Sequence, residues 1–128
     1  MNEEVIEELK KLMSIFYDSY INRNMEVIII PKTNTYFSLE GVQSRRDLIA
    51  KILMWCSRDI SKGMPYKSQK RNLSFLIRNQ EKLNKYLGTK LSHGIYDLIY
   101  QKLGNGINPE LTYRYIDSGF DWEVLYNG

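Results

Sequence analysis

Between residues 3 and 20, apolar side chains recur every three or four positions, at Val5, Leu9, Leu12, Phe16 and Tyr20. That is the repeat of one helix face. Asn2 stands where an N-cap belongs, and Glu3, Glu4, Glu7 and Glu8 occupy the first turns, where the helix dipole favours negative charge. Asn22-Arg23-Asn24 ends this first helix. The period then changes. Val27-Ile28-Ile29-Ile30 is β-branched throughout, stiff at χ1 and suited to a strand. Pro31-Lys32-Thr33-Asn34 reads as a turn and Thr35-Tyr36-Phe37-Ser38-Leu39 as the return strand, so a β-hairpin is expected near residues 25–40. A two-stranded hairpin is marginal alone and needs helices or a third strand. Trp122-Glu123-Val124-Leu125-Tyr126 is the other strand candidate.

The helical period returns at Ser44-Arg45-Arg46-Asp47. Ser44 is the N-cap and Asp47 a short-armed capping-box acid. This second helix runs to about Asp59 and buries Leu48, Ile52, Leu53, Trp55 and Cys56. Ser61–Tyr66, with Gly63 and Pro65, reads as a loop. A third helix is expected from Lys67 to Leu87 with Gly88 as its stop. A fourth runs from Ser92 to Leu103, ending at Gly104. Asn108-Pro109 opens a short fifth, because Asn caps well and Pro is favoured at the first helical position. Gly119 ends it. With no long linker, biased tract or repeat, residues 1–128 read as a single α+β domain: mainly helical, about five helices and one β-hairpin.

Composition supports a folded chain. A chain of 128 residues can bury roughly two-thirds of its surface. Cys56 is the one cysteine, so no intrachain disulfide forms, which suits a reducing compartment. The N-terminus is acidic where a secretory signal is basic. The longest plain apolar stretch, Val27–Ile30, is far short of the ~20 residues that span a bilayer. The expectation is a soluble cytoplasmic protein with no membrane partner.

The residues offer little for catalysis. One histidine and one cysteine cannot assemble a Cys/His zinc set, and no calcium-loop spacing occurs, so neither metal nor cofactor is expected. Cys56 falls on the apolar side of its helix beside Trp55 and reads as a small buried hydrophobe. His93 lies in a helix first turn, where imidazolium is disfavoured, and can pair with Asp97 four residues on. A neutral His93 is thus a candidate base, but no nucleophile lies near it in sequence. Gly104-Asn105-Gly106 joins a helix end to the next cap and reads as a turn. An enzyme built on His93 is the third-ranked reading.

Charge is distributed unevenly. Residues 41–90 carry twelve bases and three acids, and both flanks are net acidic. On the third helix, Lys67, Lys70, Arg71, Arg78, Lys82 and Lys85 share a stripe about 120° wide at ~100° per residue. Leu73, Leu76, Ile77, Leu83 and Leu87 lie opposite, and Glu81 is the one acid within the helix. Arg45, Arg46, Lys51, Arg58 and Lys62 can enlarge the patch. Such a stripe suits solvation, a nucleic-acid backbone or an acidic protein surface. Phe75 and Tyr86 flank it and are either core edge or stacking residues. No helix-turn-helix, RNP or KH signature points to sequence-specific readout.

The stretch Asn34-Thr35-Tyr36-Phe37-Ser38-Leu39-Glu40-Gly41, followed by Leu53-Met54-Trp55-Cys56-Ser57-Arg58, resembles small uncharacterised proteins of phages and mobile elements in low-GC Gram-positive bacteria. The Ile, Lys, Asn and Tyr bias is similar too. The resemblance covers about the middle half of the chain and carries no functional motif, so it assigns no residue a role. It implies a class: short accessory proteins, many of which bind and inhibit host machinery, CRISPR effectors included. The leading expectation is therefore a non-enzymatic, anti-CRISPR-like inhibitor that binds a host protein or a protein–nucleic-acid complex. Its contact surface would be Lys67, Lys70, Arg71, Arg78, Lys82 and Lys85, with Arg45 and Arg46. Direct nucleic-acid binding is the alternative.

Overall fold

The computed structural model describes residues 2–57, 70–103 and 108–128. Helix α1, Glu3–Ile15, begins as its sequence predicts, with the Asn2 side chain accepting from the Val5 amide at 2.9 Å. It stops a turn earlier than the apolar repeat suggests. The Phe16 amide makes the last helical bond, to Leu12, and Asp18 turns left-handed at φ 63°. Tyr20 is thereby released from the helix and, with Ile21, becomes strand β1, Tyr20–Ile21.

Strands β2, Val27–Ile30, and β3, Thr35–Ser38, form the expected hairpin, closed by a 3-10 turn at Pro31–Thr33 and a left-handed Asn34. The sheet is antiparallel in the order β1-β2-β3. Its third strand is thus β1 rather than the C-terminal Trp122 segment. Asn22 makes the β1–β2 turn possible: its side-chain oxygen accepts from the Glu26 and Val27 amides at 2.7 and 2.9 Å. Ile28, Ile30 and Phe37 face inward and are buried. The register pairs Tyr20 with Ile29 and Ile29 with Tyr36, which puts those three side chains in one row on the outer face.

Helix α2, Arg45–Ser57, starts with Ser44 accepting from the Asp47 amide and Asp47 accepting from the Gln43 amide. From Leu48 to Cys56 every residue except Lys51 is buried. A helix apolar on nearly all sides belongs in the middle of a domain. The rest of the fold follows from that. Against α2 pack α1, β3 and the helices α3, Arg71–Arg78; α5, His93–Lys102; and α6, Pro109–Asp117, while α4, Gln80–Leu87, packs on α1 and α3, and α7, Trp122–Asn127, on α5 and α6. Phe16, Trp55 and Phe75 meet in the core, with ring centroids 5.4 Å apart for Phe16–Phe75 and 6.1 Å for Trp55–Phe75.

Two departures raise the count from five helices to seven among the described residues. The third helix is split at Asn79, where φ is −103° and ψ 14°. Its side-chain amide donates to the Phe75 carbonyl at 2.8 Å, offering the backbone a competing partner. The C-terminal strand candidate is α7. Asp121 accepts from the Glu123 amide at 3.0 Å and Glu123 sits in the first turn, so capping overrides β-propensity. Leu125 is its fully buried anchor. Ser92 and Asn108 cap α5 and α6 as expected. The loops expected at Ser61–Tyr66 and Gly104-Asn105-Gly106 lie outside the described residues. Among the described residues, no helix is long and apolar enough to cross a membrane.

Candidate partner-binding face

The candidate bases fall into two groups, those absorbed by the fold and those left to solvent. Lys67, and the neighbouring Arg58 and Lys62, lie outside the described residues. Lys70, just before α3, is turned toward α5. Its Nζ is 3.3 Å from an Asp97 oxygen and 5.3 Å from the centre of the Tyr100 ring, and its side chain is mostly covered. Arg71 is half-buried at the first position of α3. The six-base stripe is therefore not one exposed surface. The Asn79 break and the packing of α3 against α5 divide it.

Arg45 and Arg46 are also spent inside the molecule. Arg46 makes a two-pronged bridge to Asp117 on α6, both contacts at 2.7 Å, and stacks 4.2 Å over the Tyr113 ring. Its hydrogen bonds to Asp117 raise the Arg46 pKa and lower that of Asp117. Tyr113 donates to Asp47 at 2.8 Å, and burial together with that bond pushes the phenol up to about 12. Burial raises the Asp47 pKa, but bonds from the Gln43 amide, Tyr113 and Ser44 outweigh it and hold the carboxylate below its usual value. Arg45 donates to the Tyr86 carbonyl, lies 5.0 Å over the Tyr86 ring and approaches Glu8 at 3.7 Å.

Glu8 is the pivot of this second cluster. It is buried on α1, and Tyr86 of α4 donates to it at 2.7 Å while Lys11 bridges it at 3.3 Å. Burial acts to raise its pKa, yet the Tyr86 and Lys11 bonds and the Lys11 and Arg45 charges win and lower it. Burial, and then the same contact, pushes the Tyr86 phenol far up. One carboxylate thus ties α1, α2 and α4 together. Tyr86 is an anchored structural residue, and Phe75 is core, so neither sequence-flagged aromatic is available for stacking.

Lys51 is half-buried on α2 and lines a separate pocket with Arg71 beside the hairpin, so Arg78, Lys82 and Lys85 remain. All three are exposed: Lys82 and Lys85 sit at i and i+3 of α4, and Arg78 lies across the Asn79 break at the end of α3. None of the three is in an ion pair among the described residues, Glu81 notwithstanding. Lys82 and Lys85 line a groove of about 530 Å³ between α1 and α4, with Glu8, Lys11, Ser14 and Ile15 on its other wall and Arg45 and Tyr86 at its side. Arg78 and Lys85 also border a shallow depression that reaches His93. His93 itself is exposed at the start of α5, and Asp97, its expected partner, is instead engaged by Lys70 and by Gln101 at 2.8 Å.

The surface aromatics that the sequence did not flag are elsewhere. Tyr17, Tyr20 and Tyr36 are 71%, 53% and 66% exposed. Strand alternation was the usable signal for Tyr36, because Phe37 beside it is the inward residue. Cys56 is buried, as expected. Among the described residues, no three His, Cys, Asp or Glu side chains cluster as a metal site. No protein-family model, no curated protein and no solved structure matches the chain.

Proposed function

We propose that this protein is a non-enzymatic binding protein whose Arg78–Lys82–Lys85 face docks on an anionic partner. The observation that carries the reading is selective neutralisation. The fold pairs Arg45, Arg46, Lys70 and Lys11 with Glu8, Asp97 and Asp117, and leaves these three neighbouring bases unpaired among the described residues. Bases kept for solubility alone are usually interspersed with acids. Three such cations, with Glu81 beside them, keep a net positive charge that raises the local concentration of a negative partner and speeds its docking. The accessory-inhibitor class suggested by residues 34–58 supplies the setting: a host protein or a protein–nucleic-acid complex, bound and obstructed. Both partners offer acidic side chains or phosphates to such a face.

The test is affinity capture from a lysate of a low-GC Gram-positive bacterium, with and without nuclease, using the wild type and an Arg78→Glu/Lys82→Glu/Lys85→Glu variant. The wild type retains a partner that the variant loses, and nuclease sensitivity assigns the anion to nucleic acid or protein. Equal capture by a folded variant refutes the reading. A His93→Ala variant with full biological activity removes the enzyme alternative.

A further inference from the structure

This inference rests on the reading that the basic face takes an anion, and it names the class. We infer that the anion is a single-stranded nucleic acid, whose phosphates follow the α1–α4 groove and whose bases stack on the outer face of the sheet. The two surfaces are neighbours. The groove wall on α1 includes Ser14 and Ile15, and Tyr17 follows within two residues. Lys32, from the β2–β3 turn, sits 5.5 Å over the Tyr17 ring. That turn packs against α3, which leads to Arg78. The end of α1 thus leads from the groove wall at Ser14 and Ile15 to the Tyr17–Lys32 pair, and Tyr20 of β1 follows three residues on.

The sheet offers a stacking platform. Tyr20, Ile29 and Tyr36 form one cross-strand row, facing away from the core. Strands lie about 4.8 Å apart, so the two rings stand about 10 Å apart with Ile29 between them. Both rings are more than half exposed, at 53% and 66%, although burying a tyrosine is favourable and this fold buries others fully. Exposed aromatics next to a basic groove are the arrangement that holds single strands, since every base has a face to stack. The acids Asp18, Glu26 and Glu40 border the sheet. They place the phosphates on the helices and leave bases as the part that reaches the tyrosines. A duplex keeps its bases stacked inside and cannot use the platform.

The experiment uses the full chain and fluorescein-labelled oligo-dT and oligo-rU of about twelve nucleotides, within the 4–16 typical of small single-strand sites, with a duplex of equal length as comparison. Fluorescence anisotropy over a salt series is expected to show tighter binding to the single strands. The log–log salt slope is expected to be about −2, from three bases at about −0.7 each. Tyr20→Ala and Tyr36→Ala each weaken binding about tenfold, while Tyr20→Phe and Tyr36→Phe keep it within about twofold, because stacking needs the ring and not the hydroxyl. Melting curves check that each variant folds. If an alanine variant does not fold, Tyr20→Leu and Tyr36→Leu, which keep apolar bulk without the ring, carry the test and are expected to lose the same affinity. Binding abolished by Lys82→Glu/Lys85→Glu but unchanged by both alanine variants overturns this inference and leaves the basic face standing. No oligonucleotide binding by folded wild type, with a nuclease-resistant partner still captured, overturns it in favour of an acidic protein. Loss of both kinds of binding refutes the basic-face reading as well.

Discussion

Replacing Tyr86 with phenylalanine isolates the contact that joins α1 to α4. The substitution removes one oxygen and keeps the ring under Arg45. It deletes the 2.7 Å bond to Glu8 and leaves that buried carboxylate with Lys11 at 3.3 Å and Arg45 at 3.7 Å. A hydrogen bond to a charged group is worth about 1.5–3 kcal/mol. The groove beside Glu8 admits water, which offsets part of the loss, so about 1–2 kcal/mol is expected. For a chain of this size that is a fall in Tm of roughly 3–10 °C at neutral pH. The sign of the pH dependence follows from Glu8. Its folded pKa is lowered, so the stabilisation is present above the ordinary carboxylate value and is lost as pH falls through the folded pKa. Urea melts of wild type and variant should differ at pH 7 and converge toward pH 3. A Glu8→Gln background should shrink the effect of Tyr86→Phe, since the two share one bond. Equal stability at pH 7, or a gap that does not narrow with acid, refutes this account of Glu8.

Phe75→Ala opens a hole between Phe16 and Trp55 and should cost about 3–5 kcal/mol in denaturant melts, as a core aromatic does. A loss under about 1 kcal/mol marks Phe75 as a surface residue after all. Arg46→Ala removes the bridge to Asp117, so Tm should fall at low salt and less at high salt, with partner capture unchanged. Reduced capture by a folded Arg46→Ala protein returns that arginine to the binding surface.

The sequence was legible at most helix starts and in the β-branched run. Two local signals, the Asp121 cap and the Asn79 side-chain bond, were outweighed in it by β-propensity and by the helical repeat. Asn2, Ser44, Ser92 and Asn108 cap the helices they were expected to cap, and the β-branched run Val27–Ile30 is a strand. It was illegible where tertiary packing chose between local alternatives. Tyr20 fits the α1 repeat but is drawn off as a strand by pairing with Ile29. Val124 and Leu125 favour a strand by type, yet the Asp121 cap and the buried Leu125 make a helix. The basic stripe illustrates the same limit in charge. A helical wheel places bases on a face, but it cannot show that Asp97, Asp117 and Glu8, distant in sequence, come back to neutralise Lys70, Arg46 and Arg45. Of the six cations on the wheel, five lie within the described residues: Lys70 is ion-paired to Asp97, Arg71 is half-buried, and Arg78, Lys82 and Lys85 are exposed.

The lysine-reactivity footprint of the captured complex tests the central claim most directly, because it needs no substitution. Brief acetylation of free and partner-bound protein, read by mass spectrometry, compares Lys82 and Lys85 with Lys102, which lies against Tyr126 on the C-terminal helix. Lys82 and Lys85 are expected to be modified in the free protein and shielded in the complex, while Lys102 reacts equally in both. Unchanged reactivity at Lys82 and Lys85, with shielding elsewhere, contradicts the assignment of this face as the site of binding.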